Sequence, residues 1–511
     1  PLYRAPSLDW ALSGQTGVRF NRDDAFRRIS RSFHAVKDSE YAPPVSLQKT
    51  LRKYQRDGYR WLRTLDGYGM GGILADDMGL GKTVQVLSYL LAMKQNGQTL
   101  PSLIVCPASL VLNWAEECQK FTPELSCVVV DGDAAHRAEL AESWPAADLV
   151  VTSYDLLRRD EALYEGQEFY ACILDEAQAI KNHTTQKYKA VCKVRSRVRF
   201  ALTGTPVENR LGELWSIFSF LMPGYLPPYK SFCSRFEKPI VQEEDQTAVR
   251  RLNQLTGPFI LRRMKSDVLK ELPPKTENVY RIELEEEQRK LYLAAVVDAR
   301  EKLQAAKPED KMAVFAVLMR LREICCDPRL IADNWEGGSA KLDACAELVS
   351  SAVEGGHRIL LFSQFTSMLE LLAKRLDAEG ISHFTLQGST PKPVRAELVR
   401  RFNGGEVSVF LISLRAGGTG LNLTAADIVI HYDPWWNVAA QNQATDRAYR
   451  IGQQNPVQVY KLIAQDTIEE KIVELQQAKQ SLADTVTGTA DGAILSMRPD
   501  ELLQLLEGSE P

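Results

Sequence analysis

The sequence lacks the cysteine patterns of a disulfide scaffold or a zinc-binding domain. It has nine cysteines in 511 residues, no Cys-x-x-Cys pair, and only Cys325 and Cys326 adjacent. Both kinds of framework need recurring cysteine spacings. We therefore predict neither, and we expect an intracellular, reducing location: cytoplasm or nucleoid in a bacterium, nucleus in a eukaryote.

Long apolar runs are also missing. No run approaches the roughly 18 residues that a membrane-spanning helix needs, and no signal-peptide pattern opens the chain. We therefore expect no membrane partner. The chain begins with Pro1 rather than Met, so we expect a piece of a longer protein, in which a further N-terminal domain could hold the targeting information.

Neither sign of charge dominates the sequence. There are 62 Lys and Arg against 66 Asp and Glu, for a formal net charge of −4. This balance argues against a basic protein that coats nucleic acid along its whole surface. A local basic groove is still compatible with it, because the field at a surface depends on where the charges lie.

The chain has the composition of a soluble globular protein and room for several cores. Hydrophobic residues make up 45% and charged residues 25% of it. At about 150 residues per domain, its length suggests three or four units. Short apolar runs alternate with helical patterns in two regions, which predicts two doubly wound parallel-sheet lobes in the α/β class. Residues 207–330, between them, look mostly helical. The strands are expected at Gly72–Ala75, Leu103–Cys106, Cys127–Val130, Leu149–Ser153, Ala171–Leu174, Phe200–Thr203, Ile359–Ser363, His383–Leu386, Val409–Ser413, Ile428–Tyr432 and Val457–Ile463.

A glycine-rich segment from Gly71 to Thr83 ends one strand and starts one helix. Glycine lets the backbone wrap closely around a phosphate, and Gly79 and Gly81 meet that need beside a helix N-terminus. Lys82 can reach the β- and γ-phosphates, and the Thr83 hydroxyl can hold Mg²⁺. The strict phosphate-loop pattern has glycine where this chain has Asp76. An ordinary turn with a surface lysine is the plainer alternative, but the order of strand, glycines, Lys-Thr and helix favours nucleotide binding.

Two carboxylates, Asp175 and Glu176, end an apolar strand of the same lobe. Ligands of such sheets bind beyond the carboxyl ends of the strands. Asp175 suits Mg²⁺ binding and Glu176 suits orienting and deprotonating the attacking water. On its own, such a pair would be interpreted as the solvent-exposed start of a loop. Because it follows a phosphate loop in the same lobe, it predicts nucleotide hydrolysis instead.

Two further motifs fit the same chemistry. The segment from Leu202 to Pro206 ends another strand with two hydroxyls, which suits sensing the γ-phosphate; a plain turn is the alternative. Far along the chain, Arg447 and Arg450 stand three residues apart, on one face of a predicted helix. Arginine forks can stabilise charge on a transferring phosphoryl group.

The order of these motifs resembles the Swi/Snf-like ATPases of helicase superfamily 2, over roughly residues 46–480. That family implies two RecA-like lobes with helical protrusions, ATP and Mg²⁺ as ligands, and duplex DNA as the track. The residues that carry the resemblance are Leu51-Arg52-Lys53-Tyr54-Gln55, Asp77–Thr83, Asp175-Glu176-Ala177-Gln178, Leu202–Pro206, Ser413–Leu423 and Gln443–Gln453.

The resemblance also implies roles for single residues. Gln55 looks like the glutamine that reads adenine, and Arg447 and Arg450 match the arginine fingers of the second lobe. Residues that match DNA-contacting segments are Ser109, Arg415 and Trp436. The nucleotide-binding set is Gln55, Asp77, Met78, Gly79, Leu80, Gly81, Lys82, Thr83 and Gly420, and the implied catalytic set is Lys82, Asp175, Glu176, Arg447 and Arg450.

The chain departs from the pattern of many eukaryotic members at two positions. Gln178 and Tyr449 stand where those members have histidine, which resembles the bacterial members and leaves a nucleosome substrate in doubt. The predicted divisions are an N-terminal extension over 1–45, a first lobe over 46–206, protrusions and linker over 207–340, a second lobe over 341–466, and a brace helix with tail over 467–511.

The sequence therefore predicts a monomeric DNA-dependent ATPase that moves along double-stranded DNA and displaces or remodels bound protein. A basic cluster from Arg262 to Lys265 is a candidate for backbone contacts with DNA, and Leu502–Leu506 is a candidate docking helix. Two alternatives stay open: a strand-separating helicase, and a nucleotide-switched scaffold for a protein partner. A metabolic kinase is poorly supported, because nothing in the sequence builds an acceptor pocket.

Overall fold

The computed structural model describes residues 41–204, 211–243, 245–305, 307, 310–332, 334–414, 421–435, 438–476, 502, 503 and 506. The chain divides into two compact units, Pro1–Lys270 and Glu271–Pro511. None of the helices within the described ranges combines the length and apolar character that crossing a bilayer requires.

The first unit is built on a parallel sheet of seven strands. They are β1 (Gly72–Leu74), β2 (Ser102–Cys106), β3 (Cys127–Val129), β4 (Leu149–Ser153), β5 (Glu168–Leu174), β6 (Arg195–Leu202) and β7 (Ile260–Leu261). Their order across the sheet is β3-β4-β2-β5-β6-β1-β7. Strands β2 and β4 are mostly apolar and buried along their whole length, as expected for strands of a sheet covered by helices on each side.

Helices follow most strands of this unit. Side chains cap several of them: Asp133 accepts from the His136 amide and Thr185 from the Tyr188 amide. The α-helices are Lys53–Gly67, Lys82–Gln95, Val111–Phe121, Ala134–Ser143, Tyr154–Arg159, Glu161–Glu165, Gln186–Lys193, Leu211–Leu221, Tyr229–Phe232, Lys238–Gln242, Gln246–Thr256 and Lys265–Val268.

The second unit has a parallel sheet of six strands. They are β8 (Lys275–Ile282), β9 (Ile359–Ser363), β10 (His383–Leu386), β11 (Val409–Ser413), β12 (Ile428–His431) and β13 (Val457–Ala464), in the order β10-β11-β9-β12-β13-β8. Its helices are Glu286–Ala305, Lys311–Cys326, Ala340–Glu354, Thr366–Ala378, Lys392–Asn403 and Val438–Thr445, and residues 468–476 are also helical. Leu502 and Leu506 are buried in an apolar cluster with the first two of these helices.

The predicted fold class, two parallel-sheet lobes with helical segments between them, is confirmed. The strands Leu149–Ser153, Ile359–Ser363, His383–Leu386 and Val409–Ser413 have the predicted bounds. The sequence missed β7 and β8, which lie in the region expected to be mostly helical. β7 joins the first sheet beside β1, and β8 joins the second beside β13. The domain boundaries proposed from the sequence stay predictions.

Candidate active site

Three neighbouring strands of the first sheet bring the predicted motifs to one edge. In the parallel register, Leu74 of β1 lies opposite Leu202 of β6, and Leu174 of β5 lies opposite Ala201 of β6. The segments that follow these strands are therefore adjacent. They are the phosphate loop, the Asp175-Glu176 pair and the Thr203-Gly204 turn.

The phosphate loop needs glycine at two of its positions. Gly79 and Gly81 have φ values of 80° and 76°, in the left-handed region that side chains disfavour. A Cβ on Gly81 would also lie 2.6 Å from Nε2 of Gln55. Gly81 directly precedes the Lys82–Gln95 helix, so the loop passes into a helix N-terminus whose free amides favour an anion. Nζ of Lys82 donates to the carbonyl oxygen of Asp76 at 2.6 Å.

Gln55 is buried against this loop. Its Oε1 accepts from the Arg52 amide at 2.9 Å, and its Nε2 donates to the Leu80 carbonyl at 3.0 Å. The Tyr54 hydroxyl donates to the same carbonyl at 3.0 Å. The helix Lys53–Gly67 thus holds the loop from one side; the adenine-reading role of Gln55 stays a prediction.

Asp175 is a half-buried carboxylate with two neutral donors. Nε1 of Trp114 donates to Oδ2 and the Glu176 amide donates to Oδ1, both at 2.9 Å. Burial raises the pKa of Asp175, the neighbouring charge of Glu176 raises it further, and the ammonium of Lys82 opposes that rise. Lys82 and Asp175 are therefore close enough for the charge of one to affect the other.

Glu176 has a strained backbone and a defined orientation. Its φ is 49°, and it is one of two non-glycine residues with positive φ in the described chain. Nε2 of Gln178 donates to its Oε2 at 2.7 Å, and Oγ1 of Thr203 donates to Oε1 of Gln178 at 3.0 Å. Backbone strain of this kind is common at sites where a side chain must point in one direction.

Gln178 thus connects the acidic pair to the Thr203-Gly204 turn. A Cβ on Gly204 would be 3.5 Å from Cγ of Met78, so this turn also adjoins the phosphate loop. The sequence singled out Gln178 only as a departure from histidine and missed the connection. Thr205 and Pro206 lie outside the described residues.

The donor set fits a nucleotide-bound magnesium ion. Within the described residues no group of three or more His, Cys, Asp or Glu could form a metal site of protein ligands alone. Mg²⁺ with a nucleotide usually takes one or two protein oxygens and completes its shell with phosphates and water. The Asp175 carboxylate and the Thr83 hydroxyl are oxygen donors of this type.

The two predicted arginine fingers lie in the second unit, but not on a helix. The helix Val438–Thr445 ends before them and turns follow, so the prediction of one helical face is wrong. Both guanidinium groups nevertheless converge: Nη1 of Arg447 lies 3.5 Å and Nη1 of Arg450 lies 3.3 Å from the Leu421 carbonyl oxygen. Arg447 is buried and Arg450 is partly exposed.

The predicted DNA contacts have different outcomes. Ser109 lies in the partly exposed turn between β2 and the Val111–Phe121 helix, at the same edge of the first sheet as the acidic pair. Arg415, Gly420 and Trp436 lie outside the described residues.

The basic cluster from Arg262 to Lys265, a candidate for contacts with the DNA backbone, is only partly exposed. Lys265 is buried, and the guanidinium of Arg263 pairs with Asp76. Arg262 and Met264 are exposed. Charge runs are usually solvated, whereas here a buried carboxylate binds one of the arginines; the DNA-contacting role of the cluster stays a prediction.

Two family profiles match consecutive parts of the chain. The profile described as SNF2-related domain matches residues 54–330, and the Helicase conserved C-terminal domain matches residues 340–452. The chain belongs to the SNF2 family. This confirms the resemblance found in the sequence.

Named relatives include bacterial and eukaryotic proteins. The chain is 40% identical to an uncharacterized ATP-dependent helicase, MG018, of Mycoplasma genitalium, over 89% of this chain and 44% of that protein. It is 39% identical to YwqA of Bacillus subtilis, named as a candidate ATP-dependent helicase/translocase, over 96% of this chain and 55% of that protein. It is 34% identical to the TATA-binding protein-associated factor MOT1 of Saccharomyces cerevisiae, over 94% of this chain and 30% of that protein.

A solved structure is also similar in sequence. The Sulfolobus solfataricus SWI2/SNF2 ATPase core in complex with dsDNA is 36% identical, covers 88% of this chain and 96% of that chain, and has a TM-score of 0.45. This SNF2-family chain spans about half the length of the two bacterial relatives that it matches.

Proposed function

We propose that this SNF2-family chain hydrolyses ATP and uses it to move along double-stranded DNA, displacing or remodelling protein bound there. The observation that carries the proposal is the convergence of Lys82, the Asp175-Glu176 pair and Thr203 at one edge of the first sheet. This edge is where nucleotides bind to sheets of the doubly wound kind.

The side chains at this edge of the first sheet are proposed to bind and hydrolyse ATP. Lys82 and the loop amides hold the β- and γ-phosphates, and Glu176 orients the attacking water and accepts its proton. Asp175 and Thr83 would hold the nucleotide's magnesium ion. That ion supplies charge neutralisation at the γ-phosphoryl group.

Arg447 and Arg450 are proposed to stabilise the charge on the transferring phosphoryl group. Their guanidinium groups already converge on one carbonyl, which places two rigid forks side by side. We expect each to be needed for hydrolysis more than for ATP binding, because an arginine finger contributes chiefly in the transition state.

DNA is the proposed track. Backbone contacts without base reading give sequence-independent binding, which movement along DNA requires. Ser109, Arg415 and Trp436 are the proposed contact residues. The archaeal ATPase core that shares 36% identity was solved with dsDNA, which supports a duplex as the ligand.

A DNA-bound protein is the proposed target of the movement. The support is a relative whose name, TATA-binding protein-associated factor, ties it to such a protein. We also propose that the motor acts as a monomer.

Strand separation is the second candidate function, because the relatives MG018 and YwqA carry helicase in their names. It predicts unwinding of a forked duplex. A nucleotide-switched scaffold is a third candidate, and it predicts ATPase activity that is indifferent to DNA.

The test is ATP hydrolysis measured with duplex DNA, with single-stranded DNA and without DNA, for the native chain and for Glu176→Gln. We expect duplex DNA to give the largest stimulation, and the variant to bind ATP while losing about 100-fold or more of the rate. Equal rates with and without DNA would reject the proposal in favour of the scaffold.

A further inference from the structure

The first residue of the phosphate loop is a fully buried acid. Asp76 stands where the strict loop pattern has glycine, and its side chain has 0% exposure. Nε of Arg263 donates to its Oδ1 at 2.8 Å, and Nη2 of Arg263 donates to its Oδ2. Nε2 of Gln85 donates to Oδ2 at 3.1 Å. The carboxylate therefore accepts a bidentate pair of hydrogen bonds from Arg263 and one from the Gln85 amide, and it is shielded from water.

The same arginine is connected to the far end of the loop. Its Nη2 donates to Oε1 of Gln85 at 2.7 Å, and Gln85 donates to the Gly81 carbonyl at 3.2 Å. Its Nη1 donates to the carbonyl of Tyr54, whose hydroxyl donates to the Leu80 carbonyl. One guanidinium thus joins residues that fix the loop at its start and at its end.

Backbone bonds hold the same two segments together. The Ala75 amide donates to the Leu261 carbonyl at 2.7 Å, and the Asp77 amide donates to the Arg263 carbonyl at 3.0 Å. The Lys265 amide donates to Oδ2 of Asp77 at 2.9 Å. The residues after β7 are therefore hydrogen-bonded along one side of the phosphate loop, and β7 itself lies beside β1 in the sheet.

From this geometry we propose that Arg263 is a positioning residue for the phosphate loop, and that it keeps Asp76 neutralised so that the loop accepts a triphosphate. The inference rests on the proposed ATP site. The Lys82 ammonium donates a hydrogen bond to the backbone carbonyl of Asp76. The acid therefore belongs to the loop residue that holds the phosphate-binding lysine in place. A buried carboxylate without its partner is costly and would repel a polyphosphate bound to the same loop.

The charge argument predicts an asymmetry between the two partners. Removing Arg263 leaves a buried negative charge beside the nucleotide site, whereas removing the charge of Asp76 leaves a positive one. Arg263→Met should therefore weaken nucleotide binding, Asp76→Asn should not, and the double substitution should restore much of the binding. A purely structural pair would give losses in both single variants and no rescue.

The experiment measures binding of a fluorescent ATP analogue without DNA, together with the KM and kcat for ATP and thermal melting. For Arg263→Met we expect the Kd and KM to rise at least about tenfold, while kcat at saturating ATP falls less than about threefold. Asp76→Asn/Arg263→Met should return to within about threefold of the native Kd. Arg263→Lys should be intermediate, because an ammonium keeps the charge but not the fork.

Arg262→Met is the matched control, since this neighbouring arginine is exposed, and its Kd should stay within about twofold of native. If Arg263→Met melts too early to be studied, the Kd of the lysine and double variants still decides. A native Kd in a folded Arg263→Met protein, or no rescue by Asp76→Asn, would overturn the inference. Absence of analogue binding by the native chain would instead reject the proposed function and the inference with it.

Discussion

At the scale of the residue, Asp175, the proposed ligand of the magnesium ion, is expected to lower the stability of the folded protein. Burial and the neighbouring Glu176 raise its pKa, and only the Trp114 indole, one amide and the Lys82 charge oppose them. Because the folded pKa lies above the unfolded value, the ionised form is disfavoured in the folded protein. The penalty is present at neutral pH and vanishes as the pH falls below the ordinary carboxyl range.

Asp175→Asn should therefore stabilise the nucleotide-free protein while abolishing ATP hydrolysis. We expect the melting temperature at pH 7.5 to rise by roughly 2–4 °C, since asparagine keeps an acceptor for the Trp114 indole. The gain should shrink as the pH is lowered towards 4, where the native carboxyl is itself protonated. Thermal melting over a pH series checks this, and a variant that melts lower than native at every pH would contradict it.

Gly81 offers a second residue-scale prediction. Gly81→Ala places a Cβ at 2.6 Å from Nε2 of Gln55, in a left-handed backbone conformation. We expect the affinity for an ATP analogue to fall about tenfold or more, because the loop must shift away from its phosphate-binding shape.

The control for this variant is Gly97→Ala. Gly97 has a similar φ of +85°, but a Cβ there meets nothing within 4 Å. Its strain, of about 1 kcal/mol, should lower the melting temperature slightly and leave the affinity unchanged. An equal loss of affinity in the two variants would mean that backbone strain alone explains it, and a native affinity in Gly81→Ala would contradict the role given to the geometry of the loop.

Residues of the site were predictable where the motif is local in sequence. Lys82, Thr83, Asp175 and Glu176 follow strands whose apolar runs are plain, so their common edge follows from the parallel sheet. The partner of Asp76 was not predictable, because Arg263 lies 187 residues away and its charge run resembles a solvated surface. The Thr203–Gln178–Glu176 chain also depends on side-chain rotamers that no spacing encodes.

At the scale of the element, the buried apolar strands were predicted, and the two strands that were missed are β7 and β8. β9 and β11 each have four apolar residues before a final serine and are buried throughout. β8 has the sequence KTENVYRI and only its last residue is buried, so it lacks the apolar signal. β7 has two residues, which is too short for a periodicity to appear. Their strand conformation comes from backbone pairing with a neighbour, β1 for β7 and β13 for β8.

His431 joins two elements of the second unit. It ends β12, and its Nε2 is 2.9 Å from Oγ1 of Thr445, the last residue of the helix Val438–Thr445. Burial lowers its pKa to about 3, and the charges of Lys461 and Lys275 act in the same direction. The imidazole is therefore neutral in the folded state down to acid pH, while the unfolded residue titrates near 6.5.

Stability should consequently fall as the pH drops below 6.5, with a contribution from His431 of up to about 1.4 kcal/mol per pH unit. His431→Gln should remove this part of the pH dependence, although it lowers stability at neutral pH. Urea unfolding between pH 7.5 and 5 measures both effects. His136→Gln, at an exposed histidine of the first unit, is the control and should leave the slope as it is in the native chain.

The C-terminal leucines are a second element-scale prediction. Leu502 and Leu506 are buried among residues of the helices Glu286–Ala305 and Lys311–Cys326, and Nη2 of Arg300 donates to the Leu506 carbonyl at 2.9 Å. Leu502→Ala should lower the free energy of unfolding by about 2–5 kcal/mol, because it leaves a cavity. Leu503→Ala is the comparison: this side chain is only partly buried, so the loss should be clearly smaller. Similar losses in urea titrations would mean that the tail is not docked by this face.

At the scale of the whole molecule, the proposed mechanism needs both the ATP site of the first unit and the arginines of the second. A matched pair of variants tests whether those arginines serve hydrolysis. Arg450→Ala should lower kcat for DNA-stimulated hydrolysis by about 1000-fold and change the ATP affinity by less than about threefold. Arg400→Ala, at an exposed arginine of the same unit that pairs with Glu397, should behave like the native chain. Loss of ATP binding in Arg450→Ala, with hydrolysis at saturating ATP preserved, would count against a transition-state role.

The central claim is movement along duplex DNA without strand separation. The most direct measurement is ATP-dependent displacement of a third strand from a triplex placed on a linear duplex, alongside unwinding of a forked duplex by the same preparation. We predict that the native chain releases the third strand, that Glu176→Gln does not, and that the fork stays paired. Unwinding of the fork, or no release of the third strand despite DNA-stimulated ATP hydrolysis, would contradict it.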